Sequence, residues 1–263
     1  MPGGDTFSAS AANYDRLVGR YSPQLAEELI AFAGVARRMS ALDVGCGPGA
    51  LATALARLLG PENVAAADPS EPFATAAAER LPGVEVVQAA AESLPFSDHA
   101  FDATLSQLVV NFIPDAEAGV REMARVTTPG GTVAACVWDY AGEMTVLRAF
   151  WDAALEVDPD GAAAADEGVV MSWCREGELA ELWTTAGLTD VRDGALVVTA
   201  SYANFDDLWD PFTLGFAPTG AYLAKLEPDR QSALRDALRR RLAVADEPFE
   251  LTARAWAAAG IVV

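Results

Sequence analysis

From residue 41 to residue 138, short apolar runs alternate with stretches of helical period, and nearly every change of period falls at or beside glycine or proline. Ala41-Leu42-Asp43-Val44 is an apolar run too short for a helix, and it stops at Gly45. Leu51, Leu55, Leu58 and Leu59 then recur on one helical face as far as Gly60-Pro61. Residues 63–67 read as a strand ending at Asp68, and 71–81 as a helix closed by Pro82-Gly83. Two more strands follow at 84–88 and 101–106, then a helix at 117–126 stopped by Pro129-Gly130-Gly131, then a β-branched strand at 132–138. Strands separated by helices of this length predict right-handed crossovers in a parallel sheet. The expected fold class is α/β: a Rossmann-like doubly wound sheet, mostly parallel, with an antiparallel last strand and a lid region.

The flanks are less regular. Leu17, Tyr21, Leu25, Leu29 and Phe32 keep helical spacing through a segment re-aimed at Ser22-Pro23. Beyond Trp138 the pattern supports a helix at 176–186, a strand at 196–202, a helix at 229–243 and a returning strand from 249. Residues 203–226 are rich in aromatics, proline and glycine and suit a lid or pocket wall. The expected organisation is one domain over 1–263: a helical cap (1–35), a cofactor-binding core (36–140), a substrate and lid region with late core elements (141–248) and a last strand (249–263).

Charge and composition exclude whole classes of function. Lys and Arg number 18 against 38 Asp and Glu, a formal net charge of −20. Such a surface repels phosphates, so neither nucleic acid nor an anionic membrane is an expected partner. No apolar run approaches the ~18–20 residues of a membrane span. The start lacks the basic and apolar regions of a signal peptide, and the cysteines at 46, 136 and 174 form no pair. The expected setting is therefore the cytoplasm. A lone histidine, His99, excludes a multi-histidine metal site and reads as a surface loop residue; no metal is expected. These exclusions leave a small-molecule partner, and self-association into a homo-oligomer stays open.

Asp43-Val44-Gly45-Cys46-Gly47-Pro48-Gly49 joins the first core strand to its helix. Its glycines let backbone approach a ligand without Cβ interference. Residues 45–50 also satisfy the Gly-x-Gly-x-x-Ala form of the dinucleotide fingerprint, and Asp68 stands where an acid grips ribose hydroxyls. The loop and the acid alone leave an NAD-dependent oxidoreductase open. Asp43 weighs against it, because a carboxylate there opposes a pyrophosphate and attracts an ammonium.

Three further segments occur in order: Glu92-Ser93-Leu94-Pro95-Phe96 before Phe101-Asp102, Ser106-Gln107 running on to Pro114-Asp115, and Pro129-Gly130-Gly131 before the strand ending at Trp138. Over residues 41–138 the chain resembles the class I S-adenosylmethionine-dependent methyltransferases, particularly the ubiquinone/menaquinone-biosynthesis-like group called methyltransferase type 11. The resemblance implies S-adenosyl-L-methionine as cofactor. It implies Gly45, Cys46, Gly47 and Gly49 around the methionyl part, Asp43 near its amino group, and Asp68, followed by Pro69, at the ribose. Ala91 and Glu92 would meet the adenine edge, Ser106 and Gln107 the methionyl moiety, and Tyr14 and Arg20 the methionyl carboxylate. Many relatives carry an aspartate where this chain has Ala90, which leaves backbone groups or Glu92 to recognise the adenine amino group.

No catalytic residue follows from the motifs. Positions that hold histidine in some relatives are Asn111 and Phe112 here, so the expected mechanism is in-line displacement by proximity and orientation. Asn111, or a tyrosine such as Tyr140 or Tyr202, is expected to contact the acceptor. Phe205, Trp209, Phe212, Phe216 and Tyr222 suit an apolar or aromatic metabolite. A member of the same family that binds S-adenosylmethionine without transferring methyl would carry the same cofactor motifs.

Overall fold

The computed structural model describes residues 19–215 and 217–263. In chain order the elements are α1 (Ser22–Ala33), β1 (Ala41–Val44), α2 (Ala50–Leu59), β2 (Val64–Asp68), α3 (Glu71–Arg80), β3 (Glu85–Gln88) and β4 (Phe101–Gln107). Then follow α4 (Ala116–Val126), β5 (Thr127–Trp138), α5 (Thr145–Val157), α6 (Pro159–Ala165), α7 (Glu167–Val170) and α8 (Glu178–Thr185). The remainder is β6 (Thr189–Tyr202), α9 (Phe205–Trp209), α10 (Ala217–Leu223), α11 (Pro228–Leu242) and β7 (Phe249–Ile261). The seven strands form one sheet in the order β3-β2-β1-β4-β5-β7-β6, mostly parallel with antiparallel last strands.

The register places Ala41 beside both Val64 and Ala103, Asp68 beside Gln88, and Ser106 beside Ala135. β1 and β2 are buried at every position, which is why, Asp43 and Asp68 apart, they read as short apolar runs. Strand order reverses between β1 and β4, so the crevice beyond their carboxyl ends is where a doubly wound sheet binds ligand.

The chain divides into two compact units. The first comprises Ser22–Val137, Trp173–Leu196 and Ala255–Val263 and carries the parallel strands. Within it Trp183 on α8 donates its indole N–H to the Val133 carbonyl at 2.8 Å, tying that helix to β5. The second holds Trp138–Ser172, Val197–Arg254 and, of the described N-terminal residues, 19–21. Its centre is aromatic: Phe150 lies 4.6 Å from Phe212 and 5.3 Å from Trp151, and Trp151 lies 5.3 Å from Tyr222, centroid to centroid.

Several boundaries differ from the sequence expectation. β5 begins at Thr127 and runs through Pro129-Gly130-Gly131 instead of starting after them. The register shifts between Phe101 and Ala103, and in the irregular stretch Gly130 N–H donates to the Val262 carbonyl. An irregularity of this kind is where a strand tolerates proline. β6 starts at Thr189, seven positions before the alternation at 196 becomes visible, and β7 continues to Ile261. Residues 141–172, unassigned from sequence, contain α5, α6 and α7.

Candidate functional site

β1 delivers Asp43 to its end, and the loop from Gly45 to Gly49 turns back into α2. Gly45 N–H and Cys46 N–H both donate to the Ala67 carbonyl at 2.8 and 3.0 Å, which pulls the loop onto the neighbouring strand β2. The turn requires positive φ at Gly45 (73°), Gly47 (51°) and Gly49 (95°). A Cβ at Gly45 would stand 2.4 Å from a Val109 methyl, whereas one at Gly47 would meet nothing within 4 Å. The two glycines therefore serve different ends: close packing at the first, open space at the second.

Asp68, at the end of β2, holds this loop in shape. Its Oδ2 accepts from Gly47 N–H and its Oδ1 from Ser70 N–H, both at 2.8 Å. Burial pushes its carboxyl above the usual range, and these two hydrogen bonds oppose that rise. Pro69 follows, exposed, its carbonyl accepting from Gln88 Nε2.

Asp43 is 1% exposed, and its Oδ2 accepts from Ala52 N–H in the first turn of α2. Its Oδ1 is buried without a partner. Desolvation raises its carboxyl to about 8. Cys46 is buried in the loop, its thiol pushed up by burial and by the charges of Asp43 and Asp68, which makes it a poor nucleophile.

β4 brings Ser106 and Gln107 to the same edge of the sheet. Ser106 Oγ donates to the Val44 carbonyl at 2.8 Å, so its hydroxyl clamps β1 to β4. Gln107 Nε2 donates to the Ser22 carbonyl at 3.2 Å, but its Oε1 and the Ser22 hydroxyl are buried and unpaired. Leu108 follows with φ 65°, a backbone strain unusual for a bulky residue and characteristic of ligand sites. Three residues on, both amide atoms of Asn111 are buried without partners.

The stretch after β3 is fixed from α4. Arg125 donates to the carbonyls of Leu94 and Phe96, to Asp98 and to Glu122, and Glu122 accepts from Leu94 N–H. The Arg125 guanidinium holds the Glu122 carboxyl below its usual range. Glu92 in this stretch accepts from Asp115 N–H at 3.4 Å, and Ala91 is buried. His99 is exposed and its ring contacts the Thr127 carbonyl.

The parallel-strand unit thus brings together Asp43, the glycine loop with Cys46, Asp68, Pro69, Ala91, Glu92, Ser106, Gln107 and Asn111. Arg20 and Tyr140 belong to the helical unit. There Arg20 pairs with both Asp207 carboxylate oxygens at 3.2 Å and covers the Tyr202 ring. Tyr202 is buried with its hydroxyl 3.1 Å from that of Tyr21, and Tyr140 is buried. Phe205, Trp209, Phe212 and Tyr222 are also buried. Tyr14 and Phe216 lie outside the described residues. Sequence reasoning assigned no role to Ser22, Leu108 or Val109; the positive φ of Leu108 and the close approach of Val109 to Gly45 single out the last two. Among the described residues no group of three His, Cys, Asp or Glu could hold a metal, and no helix is long and apolar enough to cross a membrane.

Residues 42–135 match the family described as "Methyltransferase domain". A malonyl-[acyl-carrier protein] O-methyltransferase of Pseudescherichia vulneris is 34% identical over 56% of this chain and 57% of its own length. A ubiquinone/menaquinone biosynthesis C-methyltransferase of Idiomarina loihiensis is 33% identical over 49% of this chain and 56% of its own. The chain spans little more than half the length of either relative. In fold it is similar to a putative methyltransferase of Bacillus halodurans, with a TM-score of 0.58 at 18% identity, over 90% of this chain and 97% of that one.

Proposed function

We propose, on the premise that residues 42–135 are a methyltransferase domain, that the chain catalyses methyl transfer from S-adenosylmethionine to a small-molecule acceptor by in-line displacement. The observation that carries this reading is the set of buried, unpaired polar atoms at the carboxyl ends of β1 and β4: Asp43 Oδ1, Gln107 Oε1 and both amide atoms of Asn111. Each such atom costs about 1–3 kcal/mol while it lacks a partner, a cost that a polar ligand removes. Open space at Gly47 beside them suits a ligand whose binding needs close backbone approach.

When bound, S-adenosylmethionine supplies a methyl group already activated by its sulfonium. The loop backbone from Gly45 to Gly49 would border the methionyl part, with Asp43 and Gln107 turned to its polar atoms. Asp68 keeps lone pairs for ribose hydroxyls after accepting from Gly47 and Ser70. Ala91 and Glu92 would receive the adenine, on a segment that Arg125 has already ordered. Ser106 contributes by holding β1 against β4.

Asn111 would orient the acceptor with its amide, as donor or as acceptor of a hydrogen bond. The chain's one histidine is exposed at 99, so catalysis rests on alignment and exclusion of water rather than on a histidine base. The acceptor is apolar or aromatic in this reading, a class that the quinone chemistry named for the Idiomarina loihiensis relative agrees with. Cys46, Cys136 and Cys174 are buried and form no disulfide, which supports a reducing, cytoplasmic setting.

The deciding experiment is calorimetric titration of the protein with S-adenosylmethionine, S-adenosylhomocysteine and NAD, alongside Asp68→Ala. The first two should bind, NAD should not, and the variant should bind about tenfold or more weakly through loss of hydrogen bonds to a charged group. Binding of NAD alone overturns the reading and makes the glycine loop a pyrophosphate site.

A further inference from the structure

The helical unit contains a cavity of about 600 Å³ between α6, α7, α10 and the start of α11. That volume falls within the range of small-molecule sites, roughly 300–1,000 Å³. Much of its wall is apolar, with Ala164, Met171, Ala221 and Leu226 among the lining residues and the Tyr222 ring beside them.

The polar groups of this cavity are unequally satisfied. Asp158 accepts from the Tyr222 hydroxyl at 3.1 Å and from Arg230 at 3.4 Å. Glu167 also lines the cavity and is 3% exposed. Its carboxyl accepts one hydrogen bond, from Trp151 Nε1 to Oε2 at 3.1 Å. Its other oxygen has no partner among the described residues. The nearby cation is already committed: Arg148 on α5 takes both oxygens of Asp166 at 3.1 and 2.7 Å and Asp152 at 2.9 Å. Lys225 and Glu227, between α10 and α11, face the same space, and Lys225 is exposed. Lys225 and Arg230 line the cavity, yet neither forms an ion pair with Glu167.

We propose that this cavity binds a small amphipathic amine, its ammonium on Glu167 and its apolar body against Met171, Ala221 and Tyr222. An ammonium supplies the hydrogen-bond donors that the carboxylate lacks, in a setting where charge-assisted bonds are strong. The formal charge of −20 draws cations toward the molecule as a whole. Burial, together with the charge of Asp166, raises the Glu167 carboxyl to about 7, so an arriving ammonium stabilises the ionised form. A methyl acceptor and a regulatory ligand share this chemistry. The binding claim stands without the methyl-transfer reading; only methylation of the bound amine rests on it.

The test is calorimetry on the full chain with phenethylamine and tryptamine, against 2-phenylethanol and 3-phenylpropanoate. The amines should bind about tenfold or more tightly than the alcohol and the carboxylate. With the carboxyl titrating at about 7, amine affinity should rise about tenfold from pH 6 to pH 8. Glu167→Gln should remove both the preference and the pH dependence. Ala221→Phe, which fills the cavity and leaves the carboxyl in place, should abolish binding, so the proposal stays testable if the first variant fails to fold. Amines that bind no better than the alcohol overturn the proposal, as does unchanged amine binding in Ala221→Phe. With labelled S-adenosylmethionine present, label on the amine identifies an acceptor; binding without label identifies a regulatory ligand, and either outcome sustains the site.

Discussion

Substitution of Gly45 by alanine isolates what the loop needs from its first glycine. Two separate costs arise. The residue sits at φ 73°, where an L side chain costs roughly 1–2 kcal/mol. The new Cβ would also lie 2.4 and 2.6 Å from the two Val109 methyls and 2.9 Å from its Cβ, an overlap no rotation of that short side chain relieves. Overpacking of this kind typically costs about 1–3 kcal/mol. Gly45→Ala should therefore destabilise the protein by roughly 2–5 kcal/mol. Val109→Ala in the same chain removes the two methyls and should recover about 1–3 kcal/mol, a coupling expected only of residues in contact. Gly47→Ala meets no neighbour and should lose only the conformational part, about 1–2 kcal/mol. The assay is guanidinium denaturation followed by tryptophan fluorescence, comparing midpoints at constant slope. If Gly45→Ala and Gly47→Ala cost the same, or if Val109→Ala returns nothing, the packing argument is refuted.

Two further outcomes are expected. For Asp43 the folded carboxyl stands at about 8 against an ordinary 3.8, so its neutral form carries stability that is full below the ordinary value and drains away as pH rises toward 8. Asp43→Asn should flatten that slope, and denaturation midpoints measured at pH 4, 6 and 8 check it; parallel slopes in the two proteins would contradict the burial argument. Asn111→Ala removes an amide with no partner, so stability should hold or rise by up to about 1 kcal/mol while turnover of a true acceptor falls about tenfold or more. Thermal melts and labelled-methyl transfer measure the two sides, and undiminished turnover would remove Asn111 from the mechanism.

The core was legible because burial on both faces leaves a simple trace. β1 and β2 are otherwise apolar, so Asp43, next to last in β1, and Asp68, last in β2, stand out as acids near the strand ends. Edge strands leave no such trace: in β6 the first seven residues are exposed or half-exposed, so alternation appears only from Leu196 onward. Pro129-Gly130-Gly131 reads as a stop because local chemistry says so, and long-range pairing with Val262 overrides it. α5 could have been found, since Val146, Leu147, Phe150, Trp151 and Ala154 keep helical spacing. In the site, the motif residues were visible, but their tasks were not. Ser106 spends its hydroxyl on Val44, and Arg20 pairs with Asp207, a residue far away in sequence. The unpaired atoms of Gln107 and Asn111 emerge only when every neighbour is in place.

The order of strands carries a consequence for how the protein is made. β7 is the last strand in the chain, yet it lies between β5 and β6. A ribosome releases both neighbours well before the strand that separates them, so the growing chain holds two open hydrogen-bonding edges until residues 249–261 emerge. Truncation before Phe249 would make those edges permanent, and such a fragment should accumulate in chaperone complexes or inclusion bodies rather than as a smaller folded protein.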